Sequence, residues 1–273
     1  MLSPELQKNI DEKWDSCWPL SLLRPVAILD LISYLFFLKK ISENKLTQDA
    51  GNKNSDTGFS QSKEDERIES DIIKNLEAES MHVLFSSEKG NIDLVKNYAR
   101  SLAYGQYVKG GLLVTPTQKL LVNAVDIIKI IEDATDDTKE EILEYLLNKK
   151  ELSGPNGQAY LPEYLVNLIV SIVQPNEKDL ILDISVGNGA LLTCCAKYIA
   201  GLYPKPNNPA PRKLTGLESD LTSLRIAGMN MILHRINNPE LKALDAFGGF
   251  GSVTIDQPTV MLANLIFSSG DSK

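Results

Sequence analysis

The sequence predicts an α/β domain on an open parallel sheet, preceded by a mostly helical N-terminal half. Three observations carry that expectation. Leu180-Ile-Leu-Asp-Ile-Ser-Val-Gly-Asn-Gly-Ala-Leu-Leu192 reads as a buried strand, a glycine turn and a helix in direct succession. Three further short apolar runs follow, each ending in a polar side chain. Ahead of them, Leu, Ile and Val recur at helical spacing over 21–41, 91–104, 116–133 and 137–149.

The 273 residues can hold two small domains, each with a core, and the change of pattern divides them at 1–150 and 151–273. In the first, residues 1–13 are polar and do not resemble a leader. The apolar run over 25–38 is interrupted by Asp30 and is too short to span a membrane, so it reads as a buried helix. Trp14 and Trp18 read as packing anchors. Residues 43–67 are rich in Asn, Ser, Asp, Gly and Lys and read as a solvated loop. Thr115 and Pro116 form a helix start signal, Thr as cap and Pro in the first turn. Asp136 or Asp137 opens the last helix of this half.

In the second half, Ile181 and Leu182 lack polar alternation, as expected of a strand covered on both faces. Asp183 stands at that strand's carboxyl end, where open α/β sheets bind their ligands. Gly187 and Gly189 allow a tight turn and a close backbone approach before the helix over 190–200. The Asp-x-x-x-Gly-x-Gly pattern lacks the third glycine of a dinucleotide fingerprint and the Gly-Lys-Ser/Thr of a phosphate loop. With no basic residue close by, the ligand expected is a nucleoside without pyrophosphate, S-adenosylmethionine being the candidate. Lys213-Leu-Thr-Gly-Leu-Glu218 reads as a second strand, whose acid can accept the ribose hydroxyls. Asp220 caps a helix over 221–235. Leu241-Lys-Ala-Leu-Asp245 reads as a third strand, its acid able to accept from an adenine amino group, and Thr259-Val-Met-Leu-Ala-Asn264 as a fourth. The segments 203–211, with four prolines, and 247–258, with three glycines, read as loops.

These pieces resemble the methylation subunit of type I restriction–modification systems, a family of N6-adenine DNA methyltransferases. The family's Gly-Gln-x-x-Thr-Pro segment stands here as Gly157-Gln-Ala-Tyr-Leu-Pro162, and its Asp-Pro-x-Cys-Gly-Ser-Gly turn as Asp183 to Gly189. Its Gly-x-Glu strand stands as Gly216-Leu-Glu218. Its Ala-Arg-Met-Asn-Leu-x-Leu-His-Gly-Ile helix stands as Ala227-Gly-Met-Asn-Met-Ile-Leu-His-Arg-Ile236, and its Asn-Pro-Pro-Phe as Asn264-Leu-Ile-Phe267. The resemblance covers residues 135–267. It implies a Rossmann-like S-adenosylmethionine-dependent methyltransferase fold with an incomplete sheet, behind the family's helical N-terminal domain. It implies that Gln158, Tyr160, Asp183, Gly187, Gly189, Glu218 and Asp245 bind the cofactor. Asn264 and Phe267 would be catalytic, the amide accepting from the target amine and the ring stacking on the base. No metal is implied. The implied partners are DNA, reached through a specificity subunit, and the other restriction–modification subunits.

The departures fall near the chemistry. Leu265 and Ile266 stand in place of two prolines, whose rings would hold φ near −65°. Leu161 stands in place of a capping threonine, and Ile184 and Val186 in place of proline and cysteine. The chain stops at Lys273, so the fourth strand is expected to expose an apolar edge. Completion by another chain, self-association and a remnant are the alternatives. Two readings stay open: an adenine-N6 methylation subunit, or a non-catalytic scaffold or regulatory relative. The isolated chain is expected to transfer no methyl group.

Composition limits the rest. Residues 1–150 carry 19 Lys+Arg against 25 Asp+Glu, and residues 151–273 carry 9 against 11, which argues against unaided duplex binding. Cys17, Cys194 and Cys195 show no metal or disulfide spacing and read as reduced thiols of a cytoplasmic protein. His82 and His234 have no ligand partner at useful spacing, and His234 reads as a structural contact.

Overall fold

The computed structural model describes residues 2–17, 25–51, 104–108, 112–113, 115–149, 160–202, 213–236, 239–244 and 256–265. The chain divides into two compact units, 1–142 and 143–273.

The first unit is helical: α1 (Pro4–Cys17), α2 (Pro25–Gly51), a 3₁₀ turn (Gly105–Val108), α3 (Gln118–Asp133) and most of α4 (Asp136–Leu147). Polar as it is, α1 buries Ile10, Trp14 and Cys17, spaced to lie on one face. The apolar run of α2 is buried throughout, from Ala27 to Leu38. Its Asp30 is buried as well and accepts the Leu113 N–H at 2.9 Å, which offsets part of the cost of placing a carboxylate there. Phe37 stacks on Tyr107 with ring centroids 4.1 Å apart. Lys13 pairs with Asp126 at 2.8 Å, and Lys39 with Glu132. Among the described residues, no helix is long and apolar enough to cross a membrane.

Several boundaries differ from the sequence reading. Residues 43–51 of the expected loop are helical instead, because α2 continues to Gly51, and a polar composition does not break a helix; residues 52–67 lie outside the described residues. Thr117, not Thr115, caps α3, its Oγ1 accepting the Leu120 N–H at 3.3 Å. Asp136 opens α4, as the sequence suggests, and the preceding Thr135 accepts the Thr138 N–H on its Oγ1 at 3.4 Å. The expected helix over 91–104 and Trp18 lie outside the described residues, apart from Tyr104.

The second unit holds α5 (Glu163–Val173), β1 (Leu180–Asp183), α6 (Ala190–Leu202), β2 (Lys213–Glu218), α7 (Leu221–Leu233), β3 (Glu240–Ala243) and β4 (Val260–Leu262). The strands form one parallel sheet in the order β3-β2-β1-β4, with Asp183 opposite Gly216 on one side and Leu262 on the other. The chain winds outward from β1 through β2 to β3, then returns to place β4 on β1's other flank. The strand order therefore reverses between β1 and β4, where parallel sheets open a crevice at their carboxyl ends. Ile181, Leu182, Leu214, Leu217, Leu224, Ala227 and Leu241 are buried around the sheet. At its opposite end the Thr259 hydroxyl accepts the Leu180 N–H at 2.9 Å and donates to Asp179 Oδ1 at 2.7 Å, which joins the starts of β1 and β4.

Candidate functional site

The site is assembled from strand ends. Asp183 closes β1 and is buried; its Oδ1 accepts the Ser185 N–H at 3.0 Å, which bends the chain into the glycine turn. Gly187 and Gly189 both take positive φ, 54° and 81°, a region where a side chain is strained. The turn is held from two sides, by β2 and by α7. Val186 N–H donates to Leu217 O at 3.0 Å and Gly187 N–H to Glu218 Oε2 at 3.0 Å, both across to β2. Asn230 of α7 donates from Nδ2 to Asn188 O at 2.8 Å. Gly216 in β2 is required for this packing, because a Cβ there would lie 2.6 Å from Leu241 Cδ2 and 2.8 Å from Val186 Cγ2.

These contacts surround a cavity of about 230 Å³. Tyr160, Asp183, Gly187, Glu218 and Asn264 line it, so five of the residues singled out in the sequence meet in one place. Gly189 lies beside it, packed on Ala227 of α7. Gln158, Asp245 and Phe267 lie outside the described residues. Ser185, Asn188, Asp220 and Ser223 also line the cavity and were not singled out as site residues. The first two occupy variable positions of the glycine turn, so no spacing rule marks them. Asp220 is the expected cap of α7, accepting the Ser223 N–H at 2.9 Å and the Ser223 hydroxyl at 2.7 Å.

The charge of this cavity is one-sided. Among the described residues its lining includes three carboxyl groups, of Asp183, Glu218 and Asp220, and no Lys, Arg or His. Burial pushes the Asp183 carboxyl up to about 7, against the opposing Ser185 N–H, and Glu218 adds to the rise. Burial also raises the Tyr160 phenol, helped by Asp220 and Glu218. The Ala190 N–H at the start of α6 is engaged by Asn188 Oδ1 at 3.1 Å. A phosphate would meet three negative groups here and a helix start already engaged. Asp183 Oδ2, by contrast, is buried and has no hydrogen-bond partner among the described residues, an acceptor suited to a donor or cationic ligand.

The other residues noted in the sequence behave as structure. The His234 side chain is 3% exposed, with Nδ1 2.8 Å from Asn230 O and Nε2 3.4 Å from Glu144 Oε1. Burial pushes Cys17 and Cys195 each up to about 12, and no His, Cys, Asp and Glu cluster suited to a metal occurs among the described residues. Pro162, not Leu161, occupies the cap position of α5, which starts at Glu163 without a side-chain cap hydrogen bond.

An acid-tipped parallel sheet with a glycine turn and an asparagine at its reversal point defines a class of nucleoside-binding α/β proteins. The N-6 DNA methylase family model matches residues 134–270, and the chain belongs to that family. The methylase subunit of the type I restriction enzyme MjaVII of Methanocaldococcus jannaschii is 29% identical over 118 residues. That alignment takes in 43% of this chain and 19% of the relative, so the match spans about a fifth of the relative's length. Among solved structures, a chain from a type I restriction–modification system superimposes with a TM-score of 0.65 at 17% identity, over 89% of this chain and 51% of that one. The type I methyltransferase subunit of Streptococcus thermophilus gives 0.57 at 15% identity, over 96% and 63%. At these identities the likeness establishes the fold, a helical N-terminal part followed by a parallel methyltransferase-type sheet.

Proposed function

We propose that this protein is an S-adenosylmethionine-binding methylation subunit of the DNA adenine-N6 class, working with type I restriction–modification partners in the cytoplasm. The carrying observation is the cation-free cavity that gathers Asp183, Glu218 and Asn264 at the reversal point of the sheet. S-adenosylmethionine carries an ammonium and a sulfonium, and when bound it supplies an electrophilic methyl group. In this reading Asp183 accepts from the ligand's amino group through its unpartnered oxygen. Glu218, whose oxygens already accept the Gly187 and Asp220 N–H groups, keeps lone pairs for the ribose hydroxyls. Tyr160, which lines the cavity, and Gln158 contribute to cofactor binding, and Gly187 and Gly189 leave room for the ligand. Asp245 takes the adenine amino group. Asn264 accepts from the target amine and Phe267 stacks on the base. Residues 1–150 serve as the helical N-terminal domain and 151–273 as the start of the methyltransferase domain. DNA is reached through a specificity subunit.

Calorimetry with S-adenosylmethionine tests the site. Asp183→Ala and Glu218→Ala are each expected to weaken binding by at least about tenfold, the loss expected for a buried charge-assisted hydrogen bond. Identical titrations for all three proteins would remove the site.

One observation favours a second reading, a non-catalytic scaffold whose sheet another chain completes. Leu265 and Ile266 leave the segment after Asn264 without the φ restraint of proline, and misplacement by about 1 Å can cost on the order of 100-fold in rate. Labelled methyl transfer to unmethylated duplex by the purified chain separates the two. Turnover establishes the enzyme, and its absence alongside cofactor binding establishes the scaffold.

A further inference from the structure

We propose that Ser185 is a positioning residue that sets the main chain carrying Asn264; this rests on the reading of Asn264 as the group that meets the target amine. Strand β4 ends at Leu262, and Leu262 O accepts the Ile184 N–H at 3.1 Å. Asn264 lies two residues further on, past the end of the β1–β4 pairing at Asp183 and Leu262. There the Ser185 hydroxyl donates to Asn264 O at 3.1 Å. Ser185 is itself held by the Asp183 carboxylate through its N–H. The hydrogen bond therefore extends the join between β1 and β4 by one polar contact, at the point where the main chain enters the cavity. Both residues line that cavity, and the Asn264 side-chain amide makes no hydrogen bond with other described residues, which leaves it available to a ligand.

The consequence concerns the two residues that follow. Leu265 and Ile266 do not restrict φ as prolines would. A hydroxyl bound to the carbonyl of Asn264 fixes the Asn264–Leu265 peptide plane by a different means. That plane carries the Asn264 carbonyl and the Leu265 N–H, so it fixes the main chain from which both the Asn264 side chain and Leu265 project. A neutral hydrogen bond of this kind shifts a local equilibrium by roughly 2- to 12-fold, enough to order a short segment.

The test is nuclear magnetic resonance on the full isotope-labelled chain, comparing wild type, Ser185→Ala and Ser185→Thr. In the wild type the Leu265 amide is expected to have an order parameter near that of rigid backbone, about 0.85. In Ser185→Ala it should fall below about 0.6, with a shift of the Asn264 carbonyl carbon, while Ile181 and Leu182 stay unchanged. Ser185→Thr, which keeps the hydroxyl, should restore both signals. A Leu265 amide equally rigid in Ser185→Ala overturns the proposal, as does loss of order spread along β1, which would make Ser185 a general stabiliser of the sheet. Failure of the underlying functional reading shows differently, as no S-adenosylmethionine-induced shifts at Asp183 and Gly187 in any variant; it would remove the purpose assigned to the contact.

Discussion

At Asp183 the demands of folding and of binding oppose each other. Its carboxyl is buried, with one oxygen unpartnered, and burial raises it to about 7 from an ordinary value near 3.8. Between those two values the native state holds a proton that the unfolded chain has released, so stability falls as pH rises from about 4 to about 7. Asp183→Asn keeps the shape and removes the charge. It is expected to gain up to a few kcal/mol over wild type at pH 8, with the two converging below pH 4, and to lose ligand affinity. Thermal unfolding across that range checks it; parallel curves would contradict the assignment. Gly216 gives a second prediction, because a methyl group there collides with Leu241 and Val186. Gly216→Ala should cost about 1–3 kcal/mol in denaturant unfolding, by overpacking behind the glycine turn. Asp183 and Glu218 were legible in the sequence because each ends an apolar run. Ser185 and Asn188 were not, since their roles depend on what β4 and α7 bring alongside.

The elements show where local signals suffice. The strand–turn–helix over 180–192 and the β2 and α7 segments were readable because burial on both faces leaves an uninterrupted apolar run and Asp220 marks the next start. The α1 helix was missed, since its three buried residues are spread among charged ones and the segment reads as polar. The α3 cap moved by two residues, from the expected Thr115 to Thr117, since two threonines stand close enough together for either to match the local signal. At α7, Asp220→Ala removes the acceptor of the Ser223 N–H and hydroxyl and should cost about 1 kcal/mol. Ser223→Ala in the same background should add little, because the two lose the same bond. In α4, the hydrogen bond from His234 holds the Glu144 carboxyl down to about 2 despite partial burial, with Lys197 contributing. The sign is opposite to that of Asp183: this contribution is present above pH 4.5 and is lost as pH falls toward 2. Glu144 is 44% exposed, so solvent screening keeps the effect below about 1 kcal/mol. Glu144→Gln should therefore differ from wild type slightly at pH 7 and not at pH 2.

At the scale of the whole molecule, charge sets the expected relation to DNA. A net charge of −8 gives the chain no general attraction for a polyanion. The purified protein should bind unmethylated duplex no more tightly than the roughly 10⁻⁴ to 10⁻⁶ M of non-specific association, and submicromolar binding in physiological salt would contradict this. The sheet order was only partly legible: four strands could be read along the chain, but the placement of β4 against β1 depends on pairing that no local pattern encodes.

The link from Gly187 to Glu218 has a kinetic consequence. The carboxylate proposed to grip the ligand already braces the turn, so the cleft keeps its outline before anything arrives. Association should then be a single bimolecular phase, linear in ligand concentration, with differences among variants appearing in residence time. Glu218→Gln, which retains an acceptor for the turn, should shorten that residence while leaving the rate of capture close to that of the native protein.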